Sequence, residues 1–313
     1  MSKFAIMADA ACDLSEELRK QYDVEVIAAH LTLPDGREIS AMPEWEHFTR
    51  EEFYSALKRN PEGFTTAPPN ISEFADAFER HVSQGHELLC ITLSEGISGT
   101  YNFALAAKKN VLEKYPHARI EVVDSRRFGP AIGLMVVRAA LMRDQGKSID
   151  EVTAYLEENK NCFRQAGWLD DLSFVAKKGR ITHSKAFLGA LAGVKPIGEF
   201  DYNGLTTVIG KVKGAKTAYS VLLKYIEKTI VDPSEQIIFI AQTNRLEQAK
   251  AYKAMIEEKF KPKAVLINDV YCVCGVNVGP GLMAAYYVGK PISSDLEEER
   301  RIIDTALSEG TER

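Results

Sequence analysis

Two kinds of hydrophobic pattern alternate along the first half of the chain. Short apolar runs, typical of buried strands, are separated by stretches whose apolar residues recur at helical spacing. The predicted strands are residues 4–8, 24–33, 87–93 and 119–123, and the predicted helices are residues 16–22, 73–83, 103–112, 130–145 and 148–159. Strands separated by helices predict βαβ units around a mostly parallel sheet, so the expected fold class is α/β.

Two helix starts in this half carry a capping box, a Ser or Thr followed three residues later by Glu. These pairs are Thr49 with Glu52 and Ser148 with Glu151. Residues 60–71, rich in Thr, Pro and Asn, are predicted to be a loop.

The second half of the chain has a different order of elements. Its predicted hairpin pairs residues 194–200 with 205–212 around Asn203-Gly204, a strong turn signal. The other predicted helices are residues 170–178, 184–191, 215–228 and 246–259, and the other strands are 236–241, 264–268 and 282–288. We place a domain boundary near residue 160, which gives two α/β domains, 1–160 and 161–290. The charged tail at 291–313 is predicted to contain an exposed helix at residues 295–307.

The segment Leu-Ser-Glu-Gly-Ile-Ser-Gly-Thr-Tyr-Asn, residues 93–102, joins a predicted strand to a predicted helix. The first N–H groups of a helix have no intrahelical partner and the helix dipole is positive there, so this turn is suited to an anion. Ser98 and Thr100 could add hydroxyl donors. The alternative is that one of these hydroxyls simply caps the helix.

Polar residues also follow two other predicted strands, at Asp9–Asp13 and at Asp124-Ser125. Ligands of parallel α/β sheets bind beyond the carboxyl ends of the strands, where these three segments are expected to meet. The strand ends are therefore the predicted ligand site.

Composition and charge narrow the function classes. The chain has 313 residues, 45% hydrophobic and 27% charged, as in soluble globular proteins of about two domains. A net charge of −5 gives no overall electrostatic footprint for nucleic acid. No apolar stretch approaches the roughly 20 residues that cross a bilayer, and no signal-peptide pattern is present, so we expect a cytoplasmic protein.

Metal and cofactor sites are not expected. The five cysteines form no Cys-x-x-Cys pair, and the six histidines have no ligand-like spacing. Free, mostly buried thiols are the expectation.

Two enzyme classes can be tested by motif. Gly96-Ile97-Ser98-Gly99 approaches a nucleophile elbow, but Thr100 stands where the motif requires glycine. No string matches the phosphate-binding loop of nucleotide kinases. Asp9, Asp13 and Asp124 could hold magnesium, although aspartates at strand ends more often hydrogen bond their own loops.

Two further features have both a functional and a simple structural explanation. Arg180, in the basic loop at residues 177–180, could reach a carboxylate or phosphate, or could lie on a solvated turn. The apolar, small-residue stretch at 186–194 could line a tunnel for an alkyl chain, or could pack in the core.

Seven short strings in order along the chain resemble the DegV family, over nearly all of it apart from the tail. They are Ala8-Asp9-Ala10-Ala11-Cys12-Asp13-Leu14, Thr66-Ala67-Pro68-Pro69-Asn70, Ser98-Gly99-Thr100-Tyr101, Val122-Val123-Asp124-Ser125, Lys178-Gly179-Arg180-Ile181, Val194-Lys195-Pro196-Ile197 and Gly279-Pro280-Gly281. The resemblance implies two α/β domains with a long-chain fatty acid held between them. It also implies a non-catalytic subunit that presents the lipid carboxylate to a separate fatty acid kinase subunit, which makes acyl phosphate for phospholipid metabolism.

The family's carboxylate-binding threonine falls on Thr66, its carboxylate-binding serine on Ser98 and its basic position on Arg180. Two positions depart from the family pattern. Ala10-Ala11 replace a usual Ser-Thr, and Asn277 stands where a histidine commonly precedes Val-Gly-Pro-Gly. Asparagine can donate a hydrogen bond but cannot carry a proton or charge. Two other functions stay open, a phosphotransferase subunit acting on a small polar substrate at the same strand ends, and a regulatory or scaffold protein in which lipid is only a filler.

Overall fold

A computed structural model of the chain describes residues 4–181 and 193–311. The predicted helix at 184–191 lies outside the described residues, as does the apolar stretch at 186–194 except for its last two residues. The strands are β1 (Ala5–Asp9), β2 (Glu25–Ile27), β3 (Ala29–Thr32), β4 (Glu38–Ala41), β5 (Thr65–Ala67), β6 (Leu88–Thr92), β7 (Ile120–Asp124), β8 (Phe163–Leu169), β9 (Val194–Phe200), β10 (Thr206–Lys213), β11 (Ile237–Gln242), β12 (Ala264–Asp269) and β13 (Leu282–Val288). The helices are α1 (Glu16–Tyr22), α2 (Arg50–Arg59), α3 (Ile71–Val82), α4 (Thr100–Lys114), α5 (Pro130–Asp144), α6 (Ile149–Asn159), α7 (Ser173–Lys177), α8 (Ala215–Thr229), α9 (Leu246–Phe260), α10 (Cys272–Val278) and α11 (Glu297–Thr311).

The first half folds around a four-stranded sheet in the order β2-β1-β6-β7, and every pairing in it is parallel. Strand β6 is buried at all five positions, because helices cover both faces of such a sheet. The predicted α/β class with a parallel sheet is confirmed. Both predicted capping boxes form, and a third forms between Asn70 and Glu73 at the start of α3.

The second half contains a six-stranded mixed sheet in the order β10-β9-β8-β13-β11-β12. Strands β9 and β10 form the predicted antiparallel hairpin. The sequence pattern did not predict strand β8, which is buried at all seven positions. Its sequence includes Arg164 and Gln165, so it matches neither an apolar run nor an alternating pattern. The domain boundary near residue 160 stays a prediction.

A small antiparallel sheet, in the order β4-β3-β5, lies beside the parallel one. Its strand β5 falls within residues 60–71, so the prediction of a loop there is wrong at Thr65–Ala67. Three residues are too short for a strand pattern, and the pairing of β5 depends on β3 being present. His30 of β3 supports this sheet, with a hydrogen bond of 2.9 Å to Glu73 of α3 and an ion pair of 3.1 Å to Glu38 of β4.

Helix α5 lies between the two large sheets and contacts strands of both. Eleven of its fifteen residues are buried, as expected of a helix that is apolar on all sides. Gly133 of this helix lies so close to the segment after β1 that an added Cβ would be 2.8 Å from the carbonyl oxygen of Cys12. The two halves of the chain therefore share one hydrophobic core.

Helix α11 confirms a helix in the charged tail but contradicts the prediction that it is exposed. Its residues Glu299, Ile303 and Ala306 are buried, and it packs against α8 and β10. The buried Glu299 carboxylate accepts a hydrogen bond of 2.7 Å from Arg164 Nη2 in β8. Arg164 also donates to Glu199 of β9 at 3.2 Å and to the Tyr225 hydroxyl of α8 at 2.7 Å. The many charged residues on the exposed side of this helix hide its one buried face in the sequence pattern.

We expect Glu299→Ala to destabilise the protein by about 3 kcal/mol, because it leaves a buried guanidinium with one carboxylate instead of two. The measurement is the free energy of unfolding in urea, with Glu298→Ala as the matched control, since Glu298 is exposed on the same helix. Equal stability of the two variants would contradict a structural role for the Arg164–Glu299 pair.

Candidate ligand site at the strand ends

A cavity of about 340 Å³ opens where the parallel strands end, against one face of the mixed sheet and the last turn of α10. All four residues predicted for the site, Thr66, Ser98, Arg180 and Asn277, line it. Most of the remaining wall is apolar. The large apolar side chains in it are Leu93, Ile97, Phe128, Trp168, Leu169, Leu172, Val175, Ile181, Val208, Val273, Val278 and Leu282.

Two aspartates at strand ends hold the loop that carries Ser98. Asp9, the last residue of β1, accepts hydrogen bonds from the backbone N–H of Leu93 at 2.6 Å and of Ala11 at 2.9 Å. Asp124, the last residue of β7, accepts from Glu95 N–H at 3.1 Å. These carboxylates are therefore committed to backbone groups, which fits the loop-bonding explanation rather than a magnesium site.

The hairpin of the second half packs its turn against the same loop. A Cβ added to Gly96 would lie 2.6 Å from the carbonyl oxygen of Asn203, and one added to Gly204 would overlap the Ser94 hydroxyl. Gly204 also has a φ of +83°, a conformation that favours glycine. The Asn-Gly turn predicted from sequence thus serves as a contact between the two halves, next to the site.

Ser98 lies just before α4, and its hydroxyl faces the start of that helix. The Ser98 and Thr100 hydroxyls are 2.7 Å apart, and Thr100 N–H donates to Ser98 Oγ at 3.3 Å. The N-cap residue is Gly99, which has no side chain, but the Ser98 hydroxyl accepts from the first N–H of the helix, as the capping alternative predicts. The start of the helix, with its positive dipole end, also lines the cavity.

Thr66 and Asn277 meet elsewhere in the cavity wall. Asn277, in the last turn of α10, donates from Nδ2 to Thr66 Oγ1 at 3.3 Å and to the Val273 carbonyl at 3.1 Å. Because Thr66 Oγ1 accepts this bond, its own proton is left to donate elsewhere. Helix α10 was not predicted, since its seven residues, Cys-Val-Cys-Gly-Val-Asn-Val, contain β-branched residues and a glycine.

Arg180 lies at the exposed edge of the cavity, after the short helix α7. Its guanidinium donates to the Lys178 carbonyl, and Lys178 Nζ donates to the Phe64 carbonyl at 3.1 Å. The basic loop is thus tied to the segment before β5, and it brings positive charge to the cavity mouth.

The wall also contains Asp9, from the predicted strand-end site, and Gln165, which the sequence did not single out. Asp9 is buried, and burial raises its pKa to about 6 despite its backbone hydrogen bonds. Gln165 of β8 is also buried in the wall. The position of Asp9 at a strand end was a usable signal, whereas Gln165 lies in a strand that the pattern did not predict.

The arrangement is suited to binding an amphipathic anion rather than to nucleophilic catalysis. Hydroxyls, an amide and a helix N-terminus lie in the wall, and most of the other lining side chains are apolar. Within residues 4–181 and 193–311, no histidine or carboxylate hydrogen bonds Ser98, and no group of three or more His, Cys, Asp or Glu side chains could hold a metal ion. All five cysteines are buried and unpaired, as their spacing predicts.

Comparisons with known proteins agree with this geometry. Residues 3–290 match the model of a family described as "Uncharacterised protein, DegV family". The chain belongs to the DegV family. A DegV domain-containing protein of Clostridium perfringens is 36% identical over 291 residues, which is 92% of this chain and 98% of that protein.

Solved DegV structures share the whole fold. DegV of Bacillus subtilis, a fatty acid binding protein, superposes with a TM-score of 0.76 at 26% identity, covering 93% of this chain and 100% of its own. A DegV family protein from Thermus thermophilus, solved for its fatty acid binding, gives a TM-score of 0.81 at 24% identity, covering 92% and 100%. In the described part of this DegV chain, no helix has the length and apolar character to cross a bilayer.

We expect the Asp9 carboxyl to titrate near pH 6 in the folded protein, about two units above its ordinary value of 3.8, because it is buried. The pKa of Asp9 is higher in the folded than in the unfolded protein, so the neutral carboxyl stabilises the fold. This contribution to the free energy of unfolding is present below about pH 4 and falls by about 3 kcal/mol as the pH rises to about 6. Carboxyl-carbon NMR would follow the titration, and Asp9→Asn would identify the resonance. A midpoint near pH 4 would contradict this environment.

Proposed function

We propose that this protein binds a long-chain fatty acid in the cavity, with the carboxylate between Ser98 and Thr66 and the acyl chain along the mixed sheet. The observation that carries the proposal is the cavity itself, whose wall combines the side chains of Ser98, Thr66 and Asn277 with largely apolar residues. Its volume of about 340 Å³ lies within the range of roughly 300–1,000 Å³ that small-molecule sites occupy.

The head-group end has the donors that a carboxylate needs. Thr66 keeps its hydroxyl proton because its oxygen already accepts from Asn277, and Ser98 has a hydroxyl beside the N-terminus of α4. Each hydrogen bond from such a donor to a charged acceptor is stronger than one between neutral groups. We assign Arg180 to this end as well, where its charge at the cavity mouth would attract the carboxylate from solvent.

The acyl chain would supply most of the affinity. Burying each methylene stabilises the complex by about 0.8 kcal/mol, before the costs of immobilising the ligand are subtracted. A chain with many methylenes is therefore required to bury its surface against most of this apolar wall, so long fatty acids are favoured over short ones.

We further propose that the protein is a non-catalytic subunit, which presents the carboxylate to a separate kinase subunit in the cytoplasm for formation of acyl phosphate. Two observations support this. Gly99 and Arg180, both exposed, border the head-group end, so a partner could approach the carboxylate there. The chain also has no phosphate-binding loop of its own. Acyl phosphate would then enter phospholipid metabolism.

An enzyme acting on a small polar substrate is the competing function. Such a site requires several carboxylates or other charged groups around a compact polar pocket. Among the described wall residues Asp9 is the one carboxylate, and backbone N–H groups already occupy its oxygens. The fatty-acid proposal is therefore the better supported one.

The first experiment is organic extraction of the purified full-length protein, followed by mass spectrometry of the extract. We expect one fatty acid per chain. Addition of a fatty acid kinase subunit and ATP to the loaded protein should then yield acyl phosphate. Bound lipid that the kinase does not use would favour a filler role, and failure to bind any fatty acid would favour the polar-substrate enzyme.

We expect Ser98→Ala to weaken fatty-acid binding by about 1–3 kcal/mol, because the bound carboxylate loses a donor in a buried site. Thr66→Val should act in the same direction. Calorimetric titration measures the change, and Ser55→Ala, on the exposed face of α2, is the control. Unchanged affinity in both site variants would refute the assignment of the head-group end.

A further inference from the structure

Gln165 of β8 and Thr206 of β10 are polar residues in the part of the cavity wall that the mixed sheet forms. Gln165, Gly167 and Leu169 occupy alternate positions of β8 and all line the cavity, as side chains on one face of a strand do. On the neighbouring strand β9, Pro196 and Gly198 line it too. Gln165 is 4% exposed, so its amide is held within the protein rather than in solvent.

The orientation of this amide is set by its two partners. Its nitrogen, Nε2, donates to the carbonyl oxygen of Gly198 at 3.2 Å, and its oxygen accepts from the Tyr286 hydroxyl at 3.0 Å. A carbonyl oxygen can only accept, so the nitrogen must face Gly198. Burial raises the pKa of Tyr286 well above its usual range, so this phenol stays protonated and donates.

One N–H of the amide has an acceptor among the described residues. An amide nitrogen has two protons, and the described residues supply one acceptor, the Gly198 carbonyl. The missing side chain of Gly198 exposes this nitrogen, because a Cβ built there would lie 3.3 Å from Nε2. The other atoms near that point are a methyl carbon of Thr206 at 3.5 Å and the carbonyl oxygen of Thr207 at 3.9 Å.

A plain alkyl chain would leave this buried donor without a partner, which is unfavourable. A water molecule could occupy the position only with two or more polar partners, and the surrounding wall is mostly apolar. An oxygen atom on the chain itself would satisfy the donor without an added water.

We propose that the preferred ligand is a long-chain fatty acid that carries a hydroxyl group along its chain, and that Gln165 donates a hydrogen bond to this oxygen. The inference rests on the proposed fatty-acid function and adds the chemical class of the acyl chain. Gln165 is then a specificity-determining residue, separate from the residues that hold the carboxylate.

The test is calorimetric binding of stearic acid and of a set of its positional hydroxy isomers to the delipidated full-length protein. We expect one isomer to bind about tenfold more tightly than stearic acid, the effect of about one satisfied hydrogen bond. No isomer binding more tightly than stearic acid would overturn the inference while leaving the fatty-acid function intact. No binding of any of these acids would instead refute the fatty-acid function.

Three variants assign the preference to the amide. Gln165→Met keeps the side-chain length without the donor, and we expect it to remove the tenfold preference while stearic acid binds at least as well as before. Gly198→Ala adds a methyl in front of Nε2 and should also remove the preference, while the hydrogen bond between Gln165 and Tyr286 stays in place. This second variant keeps the test valid if the Gln165 variant folds poorly. Ser55→Ala, on the exposed face of α2 and outside the cavity wall, is the control and should keep the preference. A preference that persists in both Gln165→Met and Gly198→Ala would contradict the role of Gln165.

Discussion

The close packing of α5 between two sheets is the constraint on which the rest of this structure depends. The helix is buried on all sides and contacts both the parallel and the mixed sheet, so the two halves of the chain cannot shift relative to each other without opening a common core. Gly133 allows this helix to approach the carbonyl of Cys12, in the segment that follows β1. As a result, the carboxyl ends of the parallel strands lie against one face of the mixed sheet, and the cavity forms between them.

The polar side chains buried where the two halves meet mainly form hydrogen bonds to backbone groups of the loops there. Asp9 and Asp124 bind N–H groups of the loop before Ser98, and the turn at Asn203-Gly204 packs on the same loop from the other half. A loop held from three sides keeps its hydroxyl in one place, so binding does not have to pay for ordering it. The three-stranded sheet, which carries Thr66, is fixed separately through Asn277 of α10 and through His30.

Much of this was predictable because it depends on local chemistry. Capping boxes, the Asn-Gly turn and the Ser98 strand–turn–helix junction are each specified within a few residues, and all formed as predicted. The elements that were missed depend on partners distant in sequence. Strand β8 contains Arg164, which is tolerable in a buried strand only because Glu199 and Glu299 lie beside it, and β5 forms only against β3. Gln165 could not be placed in the site until β8 was known.

Asn277, one of the departures from the family pattern, removes a titratable group from the cavity wall. Asn277 donates to Thr66 without titrating, whereas an imidazole at that position would change charge near neutrality. Burial raises the pKa of the Cys274 thiol, another ionisable group of the described wall, well above its usual range. Asp9, with a pKa of about 6, is then the wall residue whose charge changes under mildly acidic conditions. Ionised Asp9 would repel the carboxylate of a ligand that enters the cavity, whereas neutral Asp9 would not. Mild acidification should therefore favour binding of such a ligand rather than oppose it.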